Sequence, residues 1–343
     1  MATSIPIQQK ERANWLAGIE EREVRSQESA ISKHAIDFYG GAFSENAFMR
    51  RVSLLFIILI SFDGRVISQT NDSPGVVISH VFFCIDSTTY QNLFKHEFIA
   101  SLFANTSESS GKTLTDSWTG KYLNGRKSYI EVFATNEAKK HPQLGDKFGD
   151  VGLVFRTKRP GDIARVDSIM KSRKLDTHLD LMKYESNGKT VPFNYNLYLS
   201  NPAIEETFRP YVEEFTKEFL LLRGFTESEI AAGITEEQFR EKRRGKKYEK
   251  LFDNIERIEL SLNRNEFEYL AETLKYLGFS QTGKRFTNHN FEIICSVKRN
   301  RKYKLKAIHF NLLNDVESAK IEISKNLTFI AGGRKGLFKF NNY

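Results

Sequence analysis

Two cysteines in 343 residues leave no disulfide framework to hold this chain together. Cys84 and Cys295 both sit in apolar, strand-like runs and read as small core residues. Membrane-length hydrophobic runs are missing too: the run Val52 to Phe62, interrupted by Ser53 and Ser61, is too short for a bilayer core, which needs about 20 residues. Common catalytic signatures are also absent. There is no GxxxxGKS/T phosphate loop, no GxGxxG dinucleotide fingerprint, no HExxH and no GxSxG elbow. Nucleotide-dependent, zincin and esterase chemistries therefore have no motif to rest on.

The short apolar run has a different reading. In MRRVSLLFIILISFDGRVISQ, residues 49–69, a methionine and two arginines precede the apolar stretch and a polar segment follows it. Those are the three parts of a secretory signal peptide over 49–68, with Val66 and Ser68 suited to cleavage before Gln69. The first 48 residues are polar, without sustained apolar periodicity, and read as a disordered leader from an over-long gene start. The expected location is periplasmic or secreted, with no stable membrane anchor after cleavage; a genuine long N-terminus makes the protein cytoplasmic. Residues 1–68 carry eight Lys or Arg and eight Asp or Glu, so the whole formal charge of +8 falls on residues 69–343. Such a charge favours anionic partners in general and says nothing of fold.

What is abundant is aromatic: 28 Phe and 13 Tyr, suited to strands and lined pockets. GVVISHVFFCID, from Gly75, reads as a buried strand. It is followed by a helix with Tyr90, Leu93, Phe94, Phe98 and Leu102 at helical spacing, then by strands KTLTDSWTGKYL and RKSYIEVFAT separated at Asn124–Arg126. The pattern restarts with DVGLVFRTK, a helix striped by Ile163, Val166, Ile169 and Met170, and two strands across residues 187–189. A third passage has the strand NIERIELSLN, a helix striped by Phe267, Leu270, Leu274 and Leu277 and stopped by Gly278, and the strand FEIICSVKR. A fourth contributes more strands around a degenerate DVESA helix, and AGGRKG at 331–336 reads as a hairpin turn. Weak repetition of this kind indicates duplication of one supersecondary unit. The fold class is α+β, with repeated βαβββ-type modules forming curved mixed sheets around a cavity: 75–202 a lobe of two modules, 203–250 a charged helical connector, and 251–343 a more divergent lobe.

These runs, with ISHVFFCID opening a module and SYIEVFA closing it, resemble the vicinal oxygen chelate superfamily of glyoxalases, bleomycin-resistance proteins and extradiol dioxygenases, and in particular an uncharacterised bacterial glyoxalase-like family. The resemblance covers residues 76–202 and, more loosely, 254–340. It implies a small-molecule cavity and one divalent metal ion, with His80 in the place of a first-strand histidine ligand and Glu131 in that of a closing-strand glutamate. The pattern is departed from at the second opening strand, which offers Gly152 or Leu153 where a further ligand is expected. Phe82, Tyr129, Phe133, Phe193 and Tyr195 are the expected cavity-lining residues. His178, Glu292 and His309 are secondary candidates. Three functions follow as expectations: metal-dependent lyase, isomerase or dioxygenase-type chemistry; metal-free small-molecule binding or sequestration; and an adaptor docking an acidic partner through the basic stretch Arg240–Lys250. No nucleic acid partner is expected, because the basic cluster KRRGKK at 242–247 lacks interleaved aromatics.

Overall fold

A computed structural model describes residues 75–341, apart from 113–116, 137, 139–143, 187–188, 245–247, 290 and 300–302. The expected leader and signal segment lie outside the described residues. β1 (Val77–Ile85) runs into α1 (Ser87–Lys95), whose first turn is capped by Asp86 accepting from the Thr89 N–H at 2.9 Å. A π-helical turn at Ile99–Phe103 leads to β2 (Asn105–Lys112), β3 (Ser117–Asn124) and β4 (Tyr129–Ala134). The same order then recurs in β5 (Val151–Arg156), α2 (Asp162–Ser172), β6 (Thr177–Ser186), β7 (Lys189–Leu199), the short α3 (Pro202–Glu205) and β8 (Phe208–Phe215). In each unit the first strand pairs parallel with the last, and β1 and β5 join the units antiparallel. The result is one eight-stranded sheet ordered β2-β3-β4-β1-β5-β8-β7-β6.

Three helices follow: α4 (Lys217–Leu222), α5 (Glu227–Ala232) and α6 (Glu236–Arg244). The third unit is β9 (Phe252–Leu262), α7 (Arg264–Lys275), β10 (Ser280–Thr282), β11 (Arg285–Asn288) and β12 (Phe291–Val297). Gly278, at φ +77°, ends the α7 region as expected. β13 (Leu305–Ser324) pairs antiparallel with β9, as β5 does with β1, and returns as β14 (Leu327–Phe340) to complete a six-stranded sheet. The repeated βαβββ modules and curved mixed sheets are thus present, in three full copies plus a hairpin.

Four sequence expectations change. Residues 203–250 are not wholly a helical connector, because β8 lies within them, paired between β5 and β7, and closes the second module. KTLTDSWTGKYL is not one strand but parts of β2 and β3, whose outer member is polar because it is an edge. DVESA is not helical: its residues continue β13. AGGRKG is not a hairpin turn; it runs within β14, where Gly333 at φ +58° faces a register shift around Val316, and the turn falls at Lys325–Asn326.

The period of two gives the eight-stranded sheet two unlike faces. Phe83, Val132, Leu153 and Phe155 point to the apolar face, where Phe83 meets Phe340 and Phe155 meets Phe279 and Phe291 of the third unit. Phe103 anchors this junction: its ring lies 5.0–5.5 Å from those of Phe252, Phe310, Phe329 and Phe338. Cys84 and Cys295 are both buried and not joined in a disulfide, in agreement with their core reading. The opposite face carries His80, Phe82, Tyr129 and Glu131, and there Gly152 has a steric role. A Cβ at Gly152 would lie 2.0 Å from Phe82 Cε1, so the ring lies across β5 only because no side chain is present. Gly152→Ala is expected to destabilise the protein by about 1–3 kcal/mol in denaturant unfolding, through overpacking. Adding Phe82→Leu should recover part of that loss; strict additivity of the two changes would show that the contact does not matter.

Candidate functional site

The polar face is organised by strand register. The parallel pairing of β1 and β4 sets His80 beside Tyr129 and Phe82 beside Glu131, while the parallel pairing of β5 and β8 sets Arg156 beside Glu213. All six side chains therefore project to one side of the sheet. The structure brings the two main candidates together: His80 Nε2 is 4.0 Å from Glu131 Oε2. On the other side of the ring, Nδ1 lies 3.9 Å from Glu213 Oε1 and 3.2 Å from Ser79 Oγ. Tyr129 stacks on the imidazole at 4.1 Å, and Tyr122 donates its hydroxyl to Glu131 Oε1 at 2.5 Å.

The residues that complete this site were not singled out from the sequence. Arg156 donates to Glu213 through one terminal nitrogen and to Glu236 of α6 through the other. Arg240, one turn further along α6, donates to Glu236 Oε1 at 2.8 Å and to Asn124 Oδ1 at 3.2 Å, and its guanidinium lies 4.4 Å from the Tyr129 ring centre. His80, Glu131, Arg156, Glu213, Glu236 and Arg240 are all under 10 % exposed. Two polar atoms here have no hydrogen-bond partner, the donor Arg156 Nε and the acceptor Asn194 Oδ1. Both belong to residues held on Glu213, since Asn194 Nδ2 donates to its second oxygen at 3.5 Å. A usable signal existed in RPYVEEF, whose alternating Tyr211, Glu213 and Phe215 share a face, and in an arginine ending the buried run VGLVFR.

Electrostatics keep the imidazole neutral. Burial, and then the positive charges of Arg156 and Arg240, push the His80 pKa well below its ordinary value. Burial, followed by the charges of Glu213 and Glu131, pushes the Tyr129 hydroxyl well above its own. Glu213 and Glu236 raise the Arg156 pKa against the effect of burial.

The expected cavity is filled from within the chain. Helices α4 to α6 fold over the polar face and bury Phe219, Leu220, Phe225, Ile230, Ile234 and Phe239 against Phe215. A gap of about 10 Å³ remains beside Arg156, between the 156–160 corner and Ile234, Thr235 and Phe239, room for about one water. Phe82, Tyr129 and Phe133 do share the face of His80. Tyr195 does not: it pairs with Glu214 and so takes the other face. Phe193, at a register shift between β6 and β7, packs in the helical cluster over the polar face, against Phe215 and Phe219, rather than beside His80. Glu214 serves the fold instead, accepting from the N–H groups of Gly161 and Ile163 at the start of α2.

The secondary candidates stand apart. His178 lies on the edge strand β6, exposed and 2.7 Å from Asp180. His309 bonds Glu259 at 2.9 Å, while Glu292 is held between Arg257 and Arg285 at 2.5 and 2.9 Å, so they form separate ion pairs rather than a His–Glu site. Of the basic stretch, Arg240 is buried in the polar face rather than displayed, and Lys250 donates to the Ser101 carbonyl at 2.5 Å; residues 245–247 lie outside the described residues.

The donors do not fit a shared divalent ion as they stand. The two nitrogens of His80 face different carboxylates, Glu131 already accepts from Tyr122, and Glu213 already holds a guanidinium. Among the described residues no group of three or more His, Cys, Asp and Glu side chains is placed to hold a metal.

No curated protein matches the sequence. Solved structures similar to this chain include a hypothetical protein from Staphylococcus aureus, at 15 % identity over 72 % of this chain and 95 % of that one, with a TM-score of 0.43. Others are a 2,3-dioxygenase from Pseudomonas sp. KL28 (11 %, 79 % and 96 %, 0.39) and a Mn(II)-bound glyoxalase from Novosphingobium aromaticivorans (9 %, 75 % and 79 %, 0.35). In sequence, residues 78–340 match the family of unknown function DUF5829, and the chain belongs to that family.

Proposed function

We propose that this chain is a metal-free small-molecule-binding protein whose site is the polar face of the eight-stranded sheet, between His80 and Asn194, reached when the α4–α6 cover moves aside. The observation that carries the reading is that two of the eight buried side-chain atoms without a hydrogen-bond partner among the described residues, Arg156 Nε and Asn194 Oδ1, fall together on residues that share the Glu213 carboxylate. Buried donors and acceptors without partners cost about 1–3 kcal/mol each, and a fold retains such groups most readily where another molecule satisfies them. A cluster of six buried ionisable side chains, four on one sheet face and two on the α6 helix laid over it, supports the same location. Neutral His80 supplies one donor and one acceptor in this arrangement, with Tyr129 fixing the plane of its ring.

Metal analysis of the protein purified without chelator or histidine tag decides between this reading and the metalloenzyme alternative. Divalent metal well below one ion per chain is expected. Near-stoichiometric metal that disappears in both His80→Ala and Glu131→Ala would replace this reading with a metal-dependent one. Ligands of the metal-free site should raise the melting temperature of wild type and not of the His80→Ala protein.

His80 also sets a pH dependence. Its folded-state pKa lies below the unfolded value of 6.5, so the unfolded chain takes up the proton first. Stability from this group is complete above pH 6.5 and falls on acidification by up to about 1.4 kcal/mol per pH unit until the folded value is reached. Urea unfolding between pH 7.5 and 5 should show a shallower acid slope for His80→Gln than for wild type; parallel slopes would mean that His80 is not buried neutral.

We also propose that residues 49–68 direct export and are removed before Gln69. Mass spectrometry of the protein recovered from its native host should give a mature chain beginning at Gln69. Recovery of the chain intact from Met1 would place it in the cytoplasm.

A further inference from the structure

We infer that Arg156 is the recognition residue for a carboxylate-bearing small molecule, and that Glu236 holds that carboxylate's place from within the chain. The inference rests on the metal-free binding reading above and adds the chemical class of the ligand.

The two carboxylates on Arg156 differ in origin. Glu213 is its neighbour in the sheet, set opposite it by the β5–β8 register, and orients the guanidinium as part of the scaffold. Glu236 arrives from α6, which the chain lays over the face of the sheet afterwards. Its carboxylate is gripped by two buried arginines, Arg156 on one oxygen and Arg240 Nε on the other at 2.8 Å. Two guanidinium groups, each giving one N–H to a different oxygen of the same carboxylate, form a charge-assisted oxyanion site. Arg156 still has an unpartnered donor, Nε, so its fork is not exhausted by the chain's own groups.

The surroundings point the same way. The small gap beside Arg156 is bordered by Lys158 and Arg159, both exposed, so the approach to the guanidinium is basic. Gly233 at φ +97° packs against Arg159 where the chain turns into α6, and the Ile234 N–H donates to the Lys158 carbonyl at 2.8 Å. A carboxylate carried on a short tether acts at an effective concentration of about millimolar or higher. An external carboxylate therefore competes with Glu236, and its apparent affinity for wild type is weaker than the intrinsic one by that occupancy.

The test compares wild type with Glu236→Gln, which keeps the side-chain shape and removes the charge. The probes are acetate, pyruvate and malonate at up to about 100 mM, each against its amide, at ionic strength fixed with chloride. Melting temperature and calorimetric titration are the readouts. At least one carboxylate should bind wild type, bind Glu236→Gln about tenfold or more tightly, lose binding in Arg156→Lys, and outdo its amide throughout. Equal affinity in wild type and Glu236→Gln would place the carboxylate elsewhere and overturn the inference. A response confined to Glu236→Gln would also overturn it, by reducing Glu236 to one half of a structural ion pair. Should Glu236→Gln fail to fold, Glu236→Asp, which retracts the carboxylate by one methylene, is read by the same comparison. Neutral probes that bind in a His80-dependent way while carboxylates stay inert would sink this inference and leave the metal-free binding site standing. Silence from both classes removes both.

Discussion

The ion-pair bridge through Arg156 ties the polar face of the eight-stranded sheet to the helices that cover it. Glu213 and Glu236 are both buried, and the one guanidinium answers both, with Arg240 sharing Glu236 and Asn194 sharing Glu213. A buried pair of this kind contributes little net stability compared with apolar packing, yet losing one partner is severe, since it strands charge in the interior. The bridge therefore specifies more than it stabilises. It fixes which helix lies over the sheet, and in what rotation: Glu236 must meet Arg156, and Arg240 then reaches Tyr129 and Asn124 while Phe239 meets Phe215. Arg126, bonded to Glu237 of the same helix and to Asp253 of β9, carries that specification into the second sheet.

The two faces of the eight-stranded sheet divide the labour. The apolar face and its aromatic junction around Phe103 account for cohesion, through dispersion and removal of apolar surface from water. That leaves the opposite face free to hold groups that weaken a core. The division follows from strand alternation alone: neighbours in sequence, such as Phe82 and Phe83, serve opposite roles.

How much of this was legible in the chain depended on whether a segment obeyed the simplest pattern. β1, β5 and α7 were readable because burial on both faces or along one stripe leaves continuous or helical apolar spacing. His80 and Glu131 were found by their places in a module, and strand register does bring them to one site. β8 was missed because its polar-face residues are charged, so FRPYVEEF looked like more of the surrounding helix-forming sequence. Missing β8 meant missing Glu213, and with it the reason for Arg156. The filled cavity was illegible for a different cause: an amphipathic helix shows that it buries one face, but not against which partner. Tyr195 was placed by residue type, and a register set by partner strands decided otherwise.

The substitution of a plain hairpin for a fourth helix-bearing unit reaches beyond the second sheet. Freed from a crossover helix, β13 and β14 extend until their tip arrives at the first module, where Ser324 Oγ lies 2.9 Å from Thr89 Oγ1 and Asn326 donates to Asp86 at 3.2 Å. Asp86 is the residue that caps α1. The entropy of closing a loop of more than 230 residues must be met before that contact forms. During synthesis the opening helix of the first module therefore waits, with its cap incompletely surrounded, until Ser324 and Asn326 have left the ribosome.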